Sequence, residues 1–316
     1  MNNYLHLKLG FAVVALVLFG AACGVAQVVD GGVYRTGDSG KTWQQVVFVG
    51  QDKKRVVHID NVDVNQIVVS PINSSTLYAV SNADGVFLSD NKGDQWKQIA
   101  KGPLTSFALH PKIKETLYAT AGNRLSATID GGATWQTLYI ENTPQVGIAQ
   151  VLVDSQQPDR VFALTTKGGL LRSLDKGSSW QLLYTFADRV LSVVQNPRDT
   201  RILYGSVVNG SLWRAADAGQ TWLQLVPPQV DGKAIKFGAF RALVFLPDGI
   251  DAFLYASQYG LARTLDGGQN WTLLQLVTRP NTVAITGLAI DAKNSQHLSY
   301  VAGSAFYRSA DAGRTW

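Results

Sequence analysis

Carboxylates are the groups in this chain best able to do chemistry, and their spacing decides what kind. Six Asp and one Asn recur at Asp38, Asn91, Asp130, Asp175, Asp217, Asp266 and Asp311, each five residues before a Trp: Trp43, Trp96, Trp135, Trp180, Trp222, Trp271 and Trp316. Three before each Trp stands a glycine: Gly40, Gly93, Gly132, Gly177, Gly219, Gly268 and Gly313. An active site is built once, so seven copies of "DSGKTW"-like wording point to architecture. A short Asp or Asn accepts hydrogen bonds from backbone N–H groups one to three residues ahead, and Gly takes positive φ without a Cβ clash. Thr42, Thr134, Ser179, Thr221 and Thr315 add a hydroxyl just before the Trp, whose large apolar area belongs in a seam between elements.

Outside these turns the reactive side chains are few. His6, His58, His110 and His297 lie far apart with no HxxH spacing, so no metal and no cofactor is expected. There are two Glu, Glu115 and Glu141, both read as solvated loop residues. The net charge of +5 is spread out, with Lys53-Lys54-Arg55 the one basic run, so nucleic acid is not an expected partner.

The N-terminus reads as an address. Residues 9–22, "LGFAVVALVLFGAA", are an apolar run ending in small side chains, shorter than the ~20 residues of a spanning helix. Cys23, the single cysteine, follows at once. The stretch resembles a bacterial lipoprotein signal, although Gly20 stands where such signals usually carry Leu. The expected organisation is a signal peptide at 1–22, a lipid attached to Cys23, a tether at 23–31 and one domain at 32–316, exported to the bacterial envelope and held to the membrane by the lipid.

The elements that carry the turns follow from the repeat. The Trp residues are 53, 39, 45, 42, 49 and 45 apart, about the length of a four-stranded propeller blade. Each unit has an apolar strand such as "AQVLVD", then one with an aromatic at a fixed place (Tyr78, Tyr118, Phe162, Tyr204, Tyr255, Tyr300), then "GVFLS" or "GLLRS" before the turn, and a last strand from the Trp. Trp213 lies nine before Trp222, where Tyr34, Phe87, Leu171 and Tyr307 fall in other units, so it is assigned to packing. Arg35, Arg172, Arg214, Arg263 and Arg308 share the next column and are expected to brace the turns. The fold class is all-β: a seven-bladed propeller of four-stranded antiparallel blades. The first unit supplies only its last two strands and the last stops at Trp316, so ring closure is incomplete and a further stretch of roughly 25 to 35 residues is expected beyond it.

The pattern [ST]-x-D-x-G-x-[TS]-W resembles the Asp-box, or bacterial neuraminidase repeat. It is similar to repeats of sortilin-type receptor propellers, xyloglucanase-type glycoside hydrolases, sialidases and the photosystem II assembly-factor propeller. The sialidase resemblance implies three Arg, a Tyr–Glu pair and an Arg-Ile-Pro motif, which this chain lacks. The xyloglucanase resemblance implies two carboxylates across a sugar, for which Asp60 and Asp63 in "HIDNVDVNQ", with Asp188 and Asp231, are the candidates. Those enzymes hold glycan between two propellers, and this chain is expected to build one. The reading reached is therefore a non-catalytic binding scaffold, possessing a protein or glycan site at the channel mouth and helping to assemble an envelope complex; hydrolysis of extracellular glycans is the alternative. Loops at 50–66, 185–190, 227–241 and 277–286 break the repeat and place Asp60, Asp63, Arg189, Arg241 and Arg279 at that rim.

Overall fold

Strands of two to nine residues, most of them four to six long, make up the regular structure of the described residues, as β-branched and aromatic residues alternating between Gly- and Asp-rich turns require. The computed structural model describes residues 13–14, 31–52, 55–227, 229–230, 233–234, 240–257, 260–279 and 282–316. The expected signal peptide apart from Val13–Val14, the tether apart from Gly31, Cys23, Lys53, Lys54 and Asp231 lie outside the described residues. Among the described residues there is no helix. The chain is an all-β protein of four-stranded antiparallel blades in a propeller arrangement.

Chain contacts divide it into two units, residues 1–104 with 112–114, and residues 105–111 with 115–316. The first holds one blade, Gln66–Val69, Leu77–Ser81, Gly85–Ser89 and Lys97–Lys101. It also holds a short sheet in which Tyr34–Arg35 pairs with Gln44–Gln45 and with Val13–Val14. The second holds the blades that end at Trp135, Trp180, Trp222 and Trp271, and a three-stranded sheet, Ile285–Asp291, Asn294–Ala302 and Ala305–Ser309, before Trp316. Among the described residues six blades are found where the spacing predicts seven, and the turn at Trp43 joins only the two-residue strands of the short sheet.

The aromatic column lies where the repeat places it. Tyr78, Tyr118, Phe162, Tyr204, Tyr255 and Tyr300 are all at most 2% exposed, and burying each ring stabilises by roughly 2 kcal/mol. Trp213 is a packing residue as expected, half-buried with its ring edge-on to Phe186 at 6.3 Å. Phe186 also meets Trp222 at 4.8 Å and Tyr184 at 4.9 Å, so one buried phenylalanine gathers three other rings.

In the repeated turn the carboxylate reaches further than the sequence reading had it. Thr42 donates its backbone N–H to Asp38 Oδ1 at 2.8 Å and its hydroxyl to Oδ2 at 2.6 Å, four residues ahead. The same pair of bonds recurs at Asp130, Asp175, Asp217 and Asp311. Two residues before the acid, a hydroxyl donates to Oδ1 and accepts the glycine N–H, as Ser173 does at 2.7 Å in both directions. Ala215 replaces that hydroxyl in the Trp222 turn. The residue just after the acid is left-handed in all seven turns, with φ from 59° to 74°, although five of the seven are not glycine. The hydrogen-bonded acid holds this strained position, which costs of order 1 kcal/mol or more. The following glycine, φ 84° to 98°, is needed for a second reason. A Cβ on Gly177 would lie 2.6 Å from Leu138 Cδ1 and one on Gly268 2.6 Å from Leu225 Cδ1, aliphatic side chains of the preceding blade.

Three of the five arginines in the column, Arg35, Arg214 and Arg263, brace the next repeat, while Arg172 and Arg308 make no side-chain bond among the described residues. Arg35 donates to the Lys92 carbonyl at 3.0 Å and pairs with Asp94 at 2.9 Å, and Arg263 donates to the Ala312 carbonyl at 3.4 Å. Lys92 and Ala312 are the left-handed residues of the next turn. Arg214 is diverted to Asp251, which it meets through Nε at 3.0 Å and Nη2 at 2.7 Å, while Tyr204 donates its hydroxyl to the same carboxylate at 2.5 Å. Burial and then the Asp251 charge push the Tyr204 phenol well above its ordinary value.

Candidate functional site

In each blade the turn acids sit at one end of the sheet, between the third and fourth strands. The loops that lead into the innermost strand sit at the other end, beside the hairpins joining the second and third strands. The turn acids are chemically committed: hydrogen bonds from Thr42 and Thr36 hold Asp38 down at about 2, and Ser173 and Ser179 do the same for Asp175. Thr315 and Ser309 hold Asp311 at about 2, and Asp130 is lowered by Thr128 and Thr134. Such carboxylates accept bonds that fold the chain and have no proton to give near neutral pH.

The loop before Gln66–Val69 is different. Ile59 and Val64 are 1% and 3% exposed and packed among Val47, Leu77, Phe87 and Trp96, and Ile59 N–H donates to the Val47 carbonyl at 2.9 Å. A turn closed by Val62 N–H on the Ile59 carbonyl at 3.2 Å joins them. Two buried anchors therefore fix a short arch that holds Asp60 half-buried and Asp63 exposed. Neither carboxylate makes a hydrogen bond or ion pair among the described residues. Asp188 is engaged, accepting Asn209 Nδ2 at 2.8 Å.

Arg189, Arg241 and Arg279 stand near the starts of the innermost strands Val190–Gln195, Phe240–Phe245 and Ile285–Asp291. All three are exposed and their guanidinium groups have no partner among the described residues. The Arg189 carbonyl takes Val208 N–H at 2.9 Å, and the Arg279 carbonyl takes the Thr282 hydroxyl at 2.6 Å, so backbone bonds fix both loops. Arg241 occupies a feature that the sequence reading missed. The first two strands slip register between Phe240 and Ala242, which leaves Arg241 outside the ladder, and the same slip skips Ala149, Leu191 and Thr286 in their blades. A bulge re-aims the skipped side chain. Two of the irregular loops also contain hairpins, Phe48–Asp52 with Arg55–His58 and Gln229–Val230 with Lys233–Ala234.

A hollow of about 500 Å³ opens between the hairpin at Gly122 and Asn123 and the loop 141–147, which feeds the strand Ile148–Val153. Glu141 lies in it, accepting Thr143 N–H on Oε1 at 2.8 Å and the Tyr139 hydroxyl on Oε2 at 3.1 Å. Thr143 first, and Tyr139 after it, hold the Glu141 carboxyl below its ordinary value; burial and Glu141 push the Tyr139 phenol up.

Fold and turns together define the class, a β-propeller with its blades pinned by a repeated acidic turn. The family model described as "Sortilin-Vps10: Sortilin, neurotensin receptor 3" matches residues 84–211. Xyloglucanase Xgh74A of Acetivibrio thermocellus is 23% identical over 90% of this chain and 35% of its own length. The crystal structure of the GH74 xyloglucanase of Xanthomonas campestris superposes with a TM-score of 0.72 at 18% identity, over 96% of this chain and 50% of that one. YCF48 bound to D1 peptide superposes with a TM-score of 0.60 at 15% identity, over 81% of each chain. The chain spans about a third of the length of the curated relative it matches.

These relatives correct two expectations. The sequence alone favours a non-catalytic scaffold and against an enzyme, because the repeated acids serve folding and one propeller lacks a facing wall. The curated relatives are xyloglucanases, and the likeness runs along most of the chain, which backs the hydrolase alternative better than the scaffold reading.

Proposed function

We propose that this chain is the propeller of an exported glycoside hydrolase of xyloglucanase type, acting on an extracellular glycan at the loops that precede the innermost strands. The observation that carries the reading is the match of xyloglucanase sequence along 90% of the chain. The geometry supports it through Asp60 and Asp63, carboxylates on an anchored arch that no fold-forming bond occupies. In the proposed reaction one carboxyl protonates the glycosidic oxygen as the bond to C1 breaks, and the other acts on the anomeric carbon, directly or through water. Export is supported by the likeness to an extracellular domain from B. thetaiotaomicron, and a lipid on Cys23 would keep the enzyme at the cell surface.

The test is release of reducing ends from xyloglucan by the full chain, with Asp60→Asn and Asp63→Asn beside it. Release that falls at least about a hundredfold in either variant supports the proposal, and NMR of the first product anomer reports whether the carboxylates act by inversion or retention. No release by the unaltered chain from xyloglucan or from other β-glucans counts against it.

A further inference from the structure

Among the described residues Phe48 is the one aromatic side chain that stands exposed, at 37%; every other described Phe, Tyr and Trp is buried or half-buried. Burying such a ring gains about 2 kcal/mol, a gain the fold forgoes at this position. Phe48 lies at the foot of the hairpin that pairs Phe48–Asp52 with Arg55–His58, and this hairpin runs straight into the arch of Asp60 and Asp63. An exposed aromatic beside two unengaged carboxylates marks a surface that meets a ligand.

The ring is held in place. The Phe48 carbonyl accepts the Trp96 N–H at 2.8 Å and the Val49 carbonyl accepts Gln95 Nε2 at 3.3 Å, so the strand is tied to the first blade. Its ladder slips between Phe48 and Gly50, and such a bulge re-aims the side chains beside it. Phe48 stands directly opposite His58, and the two rings meet edge to face at 6.2 Å, a contact that leaves at least one face of the phenyl ring uncovered by the imidazole. Ile59 follows, 1% exposed and donating its N–H to the Val47 carbonyl, so the ladder runs one residue past His58 with Ile59 turned inwards. The alternation of a strand then turns His58 and Asp60 outwards on the Phe48 side, with Asp60 about 7 Å beyond His58 along the chain.

We infer that Phe48, braced by His58, is the platform on which a pyranose ring of the glycan stacks beside Asp60. The choice of a β-glucan rests on the hydrolase reading above, to which the platform adds the residue that positions the chain. A β-linked glucan carries its hydroxyls around the ring edge, so each sugar offers C–H bonds on both faces to the electron-rich face of an aromatic ring. Such a chain is extended, and a sugar seated on Phe48 leads its neighbour along the line to Asp60. An α-linked chain of the same sugar curls and does not lie along both. The unengaged carboxylates of Asp60 and Asp63 disfavour a uronate chain by like-charge repulsion.

Calorimetry on the full chain carrying Asp63→Asn, so that the probe is not consumed, tests the platform. Cellohexaose is expected to bind, and maltohexaose to bind at least about tenfold more weakly. Adding Phe48→Ala, or Phe48→Leu, which keeps apolar bulk without a flat face, is expected to weaken cellohexaose by about tenfold, and Phe48→Trp to restore it. Because the side chain is exposed, melting temperatures of all three should match the parent, which separates lost binding from lost fold. No binding of cellohexaose at millimolar concentration, or equal binding in the parent, Phe48→Ala and Phe48→Leu chains, overturns the platform. Binding that depends on Phe48, in a protein whose unaltered chain releases no reducing ends, supports the platform and counts against the hydrolase reading alone. Release of reducing ends with binding indifferent to Phe48 does the reverse.

Discussion

The turn end of the blades and the loop end of the first blade leave the same residue type in opposite states. At the turn end, Asp130 takes the Thr134 N–H at 2.9 Å and the Thr134 and Thr128 hydroxyls at 2.6 Å each, leaving its oxygens little room for anything but the fold. At the loop end of the first blade, Asp60 and Asp63 ride on buried Ile59 and Val64 and bond to nothing described. A carboxylate's availability thus depends on whether its own chain supplies donors four residues on. The sequence motif that attracts attention is the one least available for chemistry.

Several experiments break or sharpen that contrast. The largest effect is expected on turnover: Asp63→Asn or Asp60→Asn lowers release of reducing ends from xyloglucan by about 10²- to 10⁴-fold while thermal melting stays put. Next comes Asp251→Ala, which leaves Arg214 and the buried Tyr204 hydroxyl without their acceptor; chemical denaturation should show a loss of about 3 kcal/mol. Gly177→Ala follows, with φ 96° and a clash at 2.6 Å against Leu138; a loss of about 2 kcal/mol is expected in the same measurement. Milder still is Asp130→Asn, which keeps the acceptor that Asn91 keeps naturally; it should lower the melting temperature less than Asp130→Ala does.

Acid gives the sign of the turn contribution. Asp38, Asp175 and Asp311 hold their protons off down to about 2 in the folded chain, against about 4 when unfolded. A depressed folded value stabilises above pH 4, and that stability drains away as pH falls from about 4 towards 2. A melting temperature flat above pH 5 that declines across this window is expected. The decline should be shallower in a chain with these three acids changed to Asn.

What could be read in advance was what repeats. Seven turns, the aromatic column from Tyr78 to Tyr300 and the packing role of Trp213 all followed from spacing, because identical local chemistry recurs in register. The left-handed residue after each acid stayed hidden, since Ser39, Lys176 and Ala218 carry no sequence sign of it and depend on the carboxylate holding them. The bulge that frees Arg241 and the hairpins inside two irregular loops were equally unreadable. Each arises from how a strand meets its neighbour, and a single copy offers no column to compare.

One paired assay tests the contrast most directly: specific release of reducing ends and melting temperature, measured side by side on Asp63→Asn and Asp130→Ala. The account predicts that Asp63→Asn loses release at unchanged melting temperature, and that Asp130→Ala melts lower with its specific release intact below the melt. The reverse pattern, with release lost from the turn variant and kept in the loop variant, would contradict it.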